Sequence, residues 1–205
     1  MQDFYLEKEG SELIEQLRRE WRESYDFVLV DSRTGITDIG GICTIQLPDI
    51  LVLFFTATEQ GLNGTINVAR QAVSARNDLP FDRFRLLTLP IASRIDVDKE
   101  FELSQRWLAR AAKRLDDLYA DWLPLKANSL DIIHLTKIPY KAYFSFEEKL
   151  AVMEESKTDR TSLRDAYTTL AALLARELAD VDELLKSRDE YVNLTVEAEL
   201  NIGAA

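Results

Sequence analysis

An aspartate followed directly by hydroxyl residues and a glycine is the part of this sequence best suited to phosphate chemistry. In the stretch VLVDSRTG, Asp31 is followed by Ser32, Arg33, Thr34 and Gly35. A carboxylate at the end of a buried strand can orient magnesium through water, and a nearby glycine lets a backbone N–H approach a phosphate. Parallel α/β proteins also end strands with an aspartate that caps a helix, so a structural role stays open at this point.

Polar residues follow two later apolar runs in the same way. The loop ASRID carries Ser93, Arg94 and Asp96, and Pro139 and Tyr140 follow a fourth apolar run. Arg94 and Asp96 could hold a nucleotide, or they could cap the next helix with each other. These two segments and the loop after Asp31 are therefore the candidate binding loops.

Aromatic and cationic side chains in these loops allow two interpretations each. The rings of Tyr140, Tyr143, Phe144 and Phe146 could stack on a nucleotide base, or they could belong to a core or an interface. Arg33 could bridge to a phosphate or to a partner's carboxylate, or it could remain a solvated loop charge.

Cys43 and His134 are the only cysteine and the only histidine in the chain. One cysteine excludes an intramolecular disulfide and a cysteine-rich zinc site, which fits a reducing compartment. Neither residue has a sequence neighbour that would activate a thiolate or complete a metal site. We therefore expect both to be structural.

Composition and charge limit the classes of protein to which the chain can belong. The 205 residues are 46% hydrophobic and 30% charged, which suits one α/β domain with a substantial core. The net charge of -11 argues against broad attraction to nucleic acid or to an anionic membrane. The first residues show no secretory signal, and no apolar run approaches the ~18 residues of a transmembrane helix. A cytoplasmic location is expected.

The elements that must position the loops alternate between apolar strands and amphipathic helices. Strands are predicted at 27–31, 50–56, 84–90 and 131–135, and helices at 11–23, 63–76, 98–122 and 162–185. Such alternation implies a three-layer α/β fold in which helices flank a mostly parallel sheet. Ligands bind at the carboxyl ends of the strands in such folds. We expect one domain over residues 1–187 and a weakly ordered tail over 188–205.

Three segments in a fixed order give the chain a resemblance to a known family. They are YDFVLVDSRTGITDIGGICTIQLPDILVLFFTATEQGLNG, LPIASRID and IPYKAYFSFEEKLAVMEES, and the resemblance covers about residues 11–175. Together they resemble one branch of the MinD/ParA-like ATPases. That resemblance implies a P-loop α/β domain that binds Mg-ATP, often dimerises around the nucleotide and uses hydrolysis as a switch.

The resemblance also implies roles for individual residues. Asp31 corresponds to the Walker B acid that holds magnesium through water, and Ser32, Arg33, Thr34 and Gly35 belong to switch II. Gly35 is placed where the γ-phosphate is sensed. In the same comparison, the segments Ser93–Asp96 and Pro139–Tyr140 lie beside the base.

The sequence departs from that family at the phosphate-binding loop. It contains no GxxxxGK[ST] and no KGG, and none of its seven glycines precedes a lysine. That loop supplies the backbone donors, the lysine and the hydroxyl on magnesium, so the chain alone is not expected to hydrolyse ATP or to bind it tightly. The strand leading into the loop would be missing too, which predicts an unpaired apolar strand edge beside 27–31.

Three arrangements would cover that edge: a P-loop-bearing N-terminal half, pairing of 27–31 with 50–56, or self-association. The leading hypothesis is that the chain is the C-terminal part of a MinD/ParA-like nucleotide-dependent switch or regulator that acts on a protein partner. ATPase activity would then require completion by a phosphate loop. The alternative is a degenerate protein-interaction module that keeps the fold without nucleotide.

Overall fold

The computed structural model describes residues 10–32, 41–80, 83–96, 100–146, 149–156 and 159–202. The chain divides into two compact units. The smaller unit comprises Met1–Leu51 and Ile66–Thr88, and the larger one comprises Val52–Thr65 and Leu89–Ala205.

Within these described ranges, three strands form a parallel sheet flanked by helices, which agrees with the predicted α/β class. They are β1 (Ile50–Phe55), β2 (Leu87–Ile95) and β3 (Ile138–Pro139), in the order β1-β2-β3. β1 confirms the strand predicted at 50–56. β2 begins three residues later than predicted and continues through Ile95, into the segment ASRID that was expected to be a loop. These residues are strand because Ser93 and Ile95 pair with Ile138 and Pro139 of β3.

The strand predicted at 27–31 is absent from the structure. Residues 27–32 form neither helix nor strand, and the apolar side chains of Phe27–Val30 are exposed, from 40% for Val30 to 90% for Leu29. A strand requires a neighbour to pair with, and β1 has only β2 beside it among the described strands. The β-forming composition of the run is therefore not sufficient to make it a strand.

The strand predicted at 131–135 is helical instead. Helix α4 spans Ser129–Thr136, following α1 (Gly10–Ser24), α2 (Glu59–Asn77) and α3 (Phe101–Tyr119). The Asn128 side chain caps α4 by accepting a hydrogen bond from the Leu130 N–H at 2.9 Å. Ile132 and Ile133 are fully buried, and α4 packs against α3. Two adjacent isoleucines fit a helix buried on one side as well as a strand, and the cap decides between them.

The smaller unit contains α1, the second half of α2 and a π-helical turn at Ile42–Gln46. α1 confirms the helix predicted at 11–23, and α2 extends the one predicted at 63–76 in both directions. α1 packs against the π-helical turn. That turn is entered through Gly41, whose φ of 74° is the left-handed region that glycine adopts without a Cβ clash.

Helices make up most of the larger unit. α3 confirms the helix predicted at 98–122, and the hydroxyl of its last residue, Tyr119, donates a hydrogen bond to the Pro90 carbonyl at 2.9 Å. Burial of this ring raises the pKa of Tyr119. The remaining helices are a 3₁₀ turn at Ala142–Ser145, α5 (Ala151–Glu154), α6 (Leu163–Ala175), α7 (Val181–Lys186) and α8 (Arg188–Ile202).

The single helix predicted at 162–185 is interrupted after Ala175. The N–H of Leu178 donates to the Leu173 carbonyl at 3.0 Å and that of Glu177 to the Leu174 carbonyl at 2.9 Å. This is the hydrogen-bond pattern of a Schellman motif, with Glu177 at a φ of 51° in the position that glycine usually fills. Burial of Leu178 accompanies the turn, so tertiary packing overrides the helical periodicity of the sequence.

The segment from residue 188, predicted as a weakly ordered tail, forms α8. α8 packs against α6 and α7, with Tyr191, Val192 and Thr195 buried. The Tyr191 hydroxyl donates to the Ala179 carbonyl at 2.9 Å, and burial raises the pKa of Tyr191 to about 12. Throughout the described residues, no helix has both the length and the apolar character that crossing a bilayer requires.

Candidate functional site

The carboxyl ends of β2 and β3 meet at an irregular register. Ser93 of β2 lies opposite Ile138 of β3, and Ile95 lies opposite Pro139, so Arg94 is one extra residue on β2. Arg94 has a φ of 58°, which is uncommon for a residue with a Cβ. A bulge of this kind turns a side chain out of the regular alternation of a strand, and bulges are frequent next to functional sites.

The bulge places the Arg94 guanidinium over the aromatic ring of Tyr140. The guanidinium carbon lies 5.3 Å from the ring centroid, within the range of a cation–π contact. Tyr140 is fixed by its backbone, because its N–H donates to the Ile95 carbonyl at 2.9 Å. The two side chains form a cationic and aromatic surface at the sheet edge where ligands bind in parallel α/β folds.

The other residues predicted for this site differ in exposure. Ser93 is half-buried and lies within β2, and Asp96 is half-buried immediately after it, so neither stands in the free loop that the sequence suggested. Pro139 is buried as the last residue of β3. The structure thus brings four predicted residues, Ser93, Arg94, Pro139 and Tyr140, to one end of two paired strands.

Aromatic and apolar side chains continue from Tyr140 along the chain. Tyr143 packs edge-to-face on Phe144, with ring centroids 5.0 Å apart, and the Lys149 ammonium lies 4.8 Å from the Tyr143 ring centroid. Phe146 is 86% exposed, and Tyr143 is exposed by more than half. The predicted aromatic cluster is therefore a surface feature rather than part of the core.

The residues predicted for the phosphate side belong to the smaller unit. Asp31 and Ser32 are exposed and lie in neither helix nor strand. Arg33, Thr34 and Gly35 lie outside the described residues. Within the described ranges, no group of three or more histidine, cysteine or acidic side chains is placed to hold a metal ion.

A cluster of three arginines in the smaller unit was not predicted from the sequence. Arg18 and Arg76 are buried and Arg83 is half-buried, and their side chains reach carbonyls at the end of the π-helical turn and of its C-cap residue Leu47. Arg18 Nε donates to Leu47 O at 3.1 Å, and Arg76 Nη1 donates to Ile45 O at 2.6 Å and to Gln46 O at 3.0 Å. Arg83 Nη1 also donates to Gln46 O.

Two carboxylates complete this cluster, which we call the arginine clamp (Arg18, Arg76 and Arg83). Asp49 pairs with Arg18, and Glu15 pairs with Arg83. Burial lowers the pKa of Arg76, and the positive charge of Arg18 lowers it further. Cations at the carbonyl end of a helical turn complement its dipole, so the arginine clamp fixes the segment that follows the loop after Asp31.

A sequence signal for the arginine clamp was present. Arg18 continues the apolar spacing of Ile14, Leu17 and Trp21 on α1, which is the i, i+3, i+4, i+7 pattern of a buried helix face. An arginine on such a face must have acceptors, because burying an unpaired charge is costly.

Neither Cys43 nor His134 belongs to a strand. Cys43 is half-buried in the π-helical turn, and His134 is half-buried on α4 rather than on a strand. The His134 carbonyl accepts a hydrogen bond from Lys137 Nζ at 2.8 Å. Burial lowers the pKa of His134, the positive charge of Lys137 lowers it further, and Asp131 opposes the shift.

Comparisons of the chain with known protein families, with curated proteins and with solved structures found no match. The likeness to MinD/ParA-like ATPases accordingly depends on the three sequence segments quoted above.

Proposed function

We propose that the chain is the C-terminal part of a MinD/ParA-like nucleotide-dependent switch. It carries the Walker B and switch II residues and a surface for the nucleotide base, which we call the base-side platform (Arg94 and Tyr140), but it has no phosphate loop. The observation that carries this proposal is the bulge at Arg94, which sets a guanidinium over the Tyr140 ring at the carboxyl end of a parallel sheet. Both residues were selected from separate sequence segments as base-side candidates.

The platform suits the base of a nucleotide. An exposed ring stacks on a planar base, and such a contact contributes about 1–3 kcal/mol. A guanidinium can stack on the same base or donate hydrogen bonds to it. This free energy alone corresponds to weak binding, so the phosphates must supply most of the affinity of the complete domain.

The phosphate side of the proposed site falls to residues around Asp31. When bound, Mg-ATP would supply the γ-phosphate whose hydrolysis resets the switch. Asp31 would accept hydrogen bonds from water on magnesium, and Gly35 would present its backbone N–H to the γ-phosphate. Because Asp31 is exposed, its carboxylate is accessible to an incoming phosphate loop.

The proposed setting is a cytoplasmic protein that signals to a protein partner. A P-loop-bearing N-terminal half, on this polypeptide or on another, would complete the nucleotide site. The net charge of -11 favours such partners over nucleic acid or an anionic membrane surface.

Mg-ATP binding measured by calorimetry tests the proposal. The chain is compared with a form extended upstream through a KGGVG-type segment, and each form is also made with Asp31→Ala. We expect heat of binding only from the extended form, with weaker magnesium-dependent binding after Asp31→Ala. Tight binding by the short chain that Asp31→Ala abolishes would show that the phosphate loop is not required.

The exposed position of Asp31 outside any strand favours a second candidate, an interaction module that has lost nucleotide. In this case neither form binds Mg-ATP, and Asp31→Ala has no effect. The exposed rings of Tyr143 and Phe146 would then serve as contact residues for another protein.

A further inference from the structure

Helix α3 presents a group of cationic side chains to solvent. Arg106, Arg110 and Lys113 are exposed, and Arg114 is half-buried. Their spacing, with steps of three and four residues, places them on one side of the helix. We call these four residues the basic face (Arg106, Arg110, Lys113 and Arg114). The basic face extends over about 12 Å of the helix axis, since each residue of an α-helix adds about 1.5 Å.

The basic face is only partly neutralised by neighbouring acids. Among the described residues, Glu59 of α2 pairs with it, and its carboxylate lies 3.1 Å from the Arg110 guanidinium and 2.9 Å from that of Arg114. Arg106 and Lys113 form no ion pair with a residue that the structure describes. Two of the four cations are therefore available to a ligand, while one carboxylate serves the other two.

The surroundings of the basic face limit the ligand that fits it. Leu103 is 57% exposed and lies three residues before Arg106 on the same side of α3, so an apolar contact adjoins the cations. Glu102 precedes the basic face and Asp117 follows it, which confines the positive charge to about two helical turns. A fitting ligand therefore has a short acidic stretch together with an apolar side chain.

An acidic protein segment meets these requirements better than a nucleic acid does. A nucleic acid is charged along its whole length, with one negative charge per about 1.7 Å of duplex. It would continue past the basic face onto the remainder of a chain whose net charge is -11. An acidic segment of a folded protein can end where the basic face ends. Arginine is also enriched in protein–protein interfaces.

We propose that the basic face and Leu103 form a docking surface for an acidic segment of a partner protein. Carboxylates of that segment pair with Arg106 and Lys113, and an apolar side chain of the segment contacts Leu103. Complementary charge of this kind sets the association rate and the choice of partner more than the affinity. Docking here requires no nucleotide, so the inference stands apart from the proposed switch.

Fluorescence anisotropy of a labelled synthetic peptide measures this docking at low salt. The peptide has glutamate at every position except a central leucine, and it is long enough to span the basic face. We expect it to bind the unaltered chain, and the double variant Arg106→Glu, Lys113→Glu to bind it about tenfold more weakly. The matched control is Lys126→Glu, Lys186→Glu, because both lysines are exposed and lie outside the basic face. This control changes the net charge equally and should alter binding by less than about twofold.

Two further measurements separate the contribution of charge from that of the apolar contact. Added salt should release the peptide, because the ion pairs are exposed and salt screens them. Leu103→Ala should weaken binding of the leucine-containing peptide and leave that of an all-glutamate peptide unchanged. Since the altered residues of α3 are exposed, circular dichroism of each variant should match that of the unaltered chain.

Four results would overturn the inference. These are a peptide that does not bind at low salt, binding that resists added salt, a control that loses as much affinity as the double variant, and a Leu103→Ala variant that weakens binding of both peptides equally. Single-stranded DNA of the same charge serves as a competitor. If it binds as tightly as the peptide, and the double variant weakens its binding, the basic face is assigned to nucleic acid instead.

Discussion

The guanidinium of Arg94 lies 5.3 Å from the centre of the Tyr140 ring. Arg94 is also the bulged residue of β2, which has no partner opposite it on β3. The contact and the bulge are coupled, since a regular alternation along β2 would direct Arg94 elsewhere. A left-handed backbone at a residue with a Cβ is unfavourable by about 1–2 kcal/mol. The fold therefore tolerates a local cost at the residue that contacts the Tyr140 ring.

A double-mutant cycle on this pair should show direct coupling. Arg94→Ala, Tyr140→Ala and the double variant are compared by chemical denaturation. We expect a coupling free energy of about 0.5–1 kcal/mol, the magnitude of a partly exposed cation–π contact. Tyr140→Phe keeps the ring and should retain the coupling. Strictly additive free energies would show that the two side chains do not interact.

Replacement of Arg76 should destabilise the protein strongly. Arg76→Met keeps most of the side-chain volume but leaves the Ile45 and Gln46 carbonyls without this donor. Loss of charged hydrogen bonds to buried acceptors predicts a decrease of about 3 kcal/mol in the free energy of unfolding. The control is Gln71→Met at an exposed position of the same helix, for which a change within about 0.5 kcal/mol is expected. Equal effects of the two substitutions would refute the arginine clamp.

Glycine at position 177 should stabilise the turn between α6 and α7. Glu177 is exposed with a φ of 51°, so Glu177→Gly removes left-handed strain and no buried contact. After the entropic cost of glycine in the unfolded chain, we expect a gain of about 1 kcal/mol. Glu177→Ala keeps a Cβ and should give no such gain. Thermal denaturation of the three proteins measures the difference, and a lower midpoint for the glycine variant would contradict the assigned turn.

His134 is the only histidine of the chain, so the pH dependence of stability near its pKa can be assigned to one imidazole. Its folded pKa is lowered, so the unfolded chain binds a proton at a higher pH than the folded chain does. The contribution of His134 to stability is complete above the unfolded pKa of about 6.5 and is lost as the pH falls toward the folded pKa. NMR titration of the single imidazole should give a pKa below that of the urea-unfolded chain. His134→Gln should reduce the slope of stability against pH in this window, and a folded pKa equal to or above the unfolded one would rule this account out.

Much of the fold was predictable because its signals are local. The apolar run at 50–56 and the long amphipathic pattern at 98–122 each admit one interpretation, and β1 and α3 form there. One error occurred where distant parts of the chain decide, because the segment 27–31 needs a neighbouring strand that its own residues do not specify. The other error overlooked a local signal, since residues 131–135 belong to a helix that the adjacent Asn128 caps.

The site shows the same division between local and distant causes. The resemblance to the ATPase family selected the segments that carry Arg94 and Tyr140 as expected neighbours of a base. Their contact depends on the register between β2 and β3, and a one-residue bulge in that register leaves no mark in the sequence of either strand. The arginine clamp was missed because arginine is seldom buried, so residue type gave no reason to expect Arg18 and Arg76 on buried helix faces.

NMR titration of the isotope-labelled chain with adenosine, and separately with Mg-ATP, tests the central claim most directly. A base-side platform without a phosphate loop predicts weak binding of similar strength for both ligands, with shifts centred on the amides of Arg94 and Tyr140. Tyr140→Ala should remove these shifts, whereas Phe84→Ala should leave them unchanged. Adenosine that produces no shift at Arg94 and Tyr140, or Mg-ATP that binds many-fold more tightly than adenosine, would contradict the account.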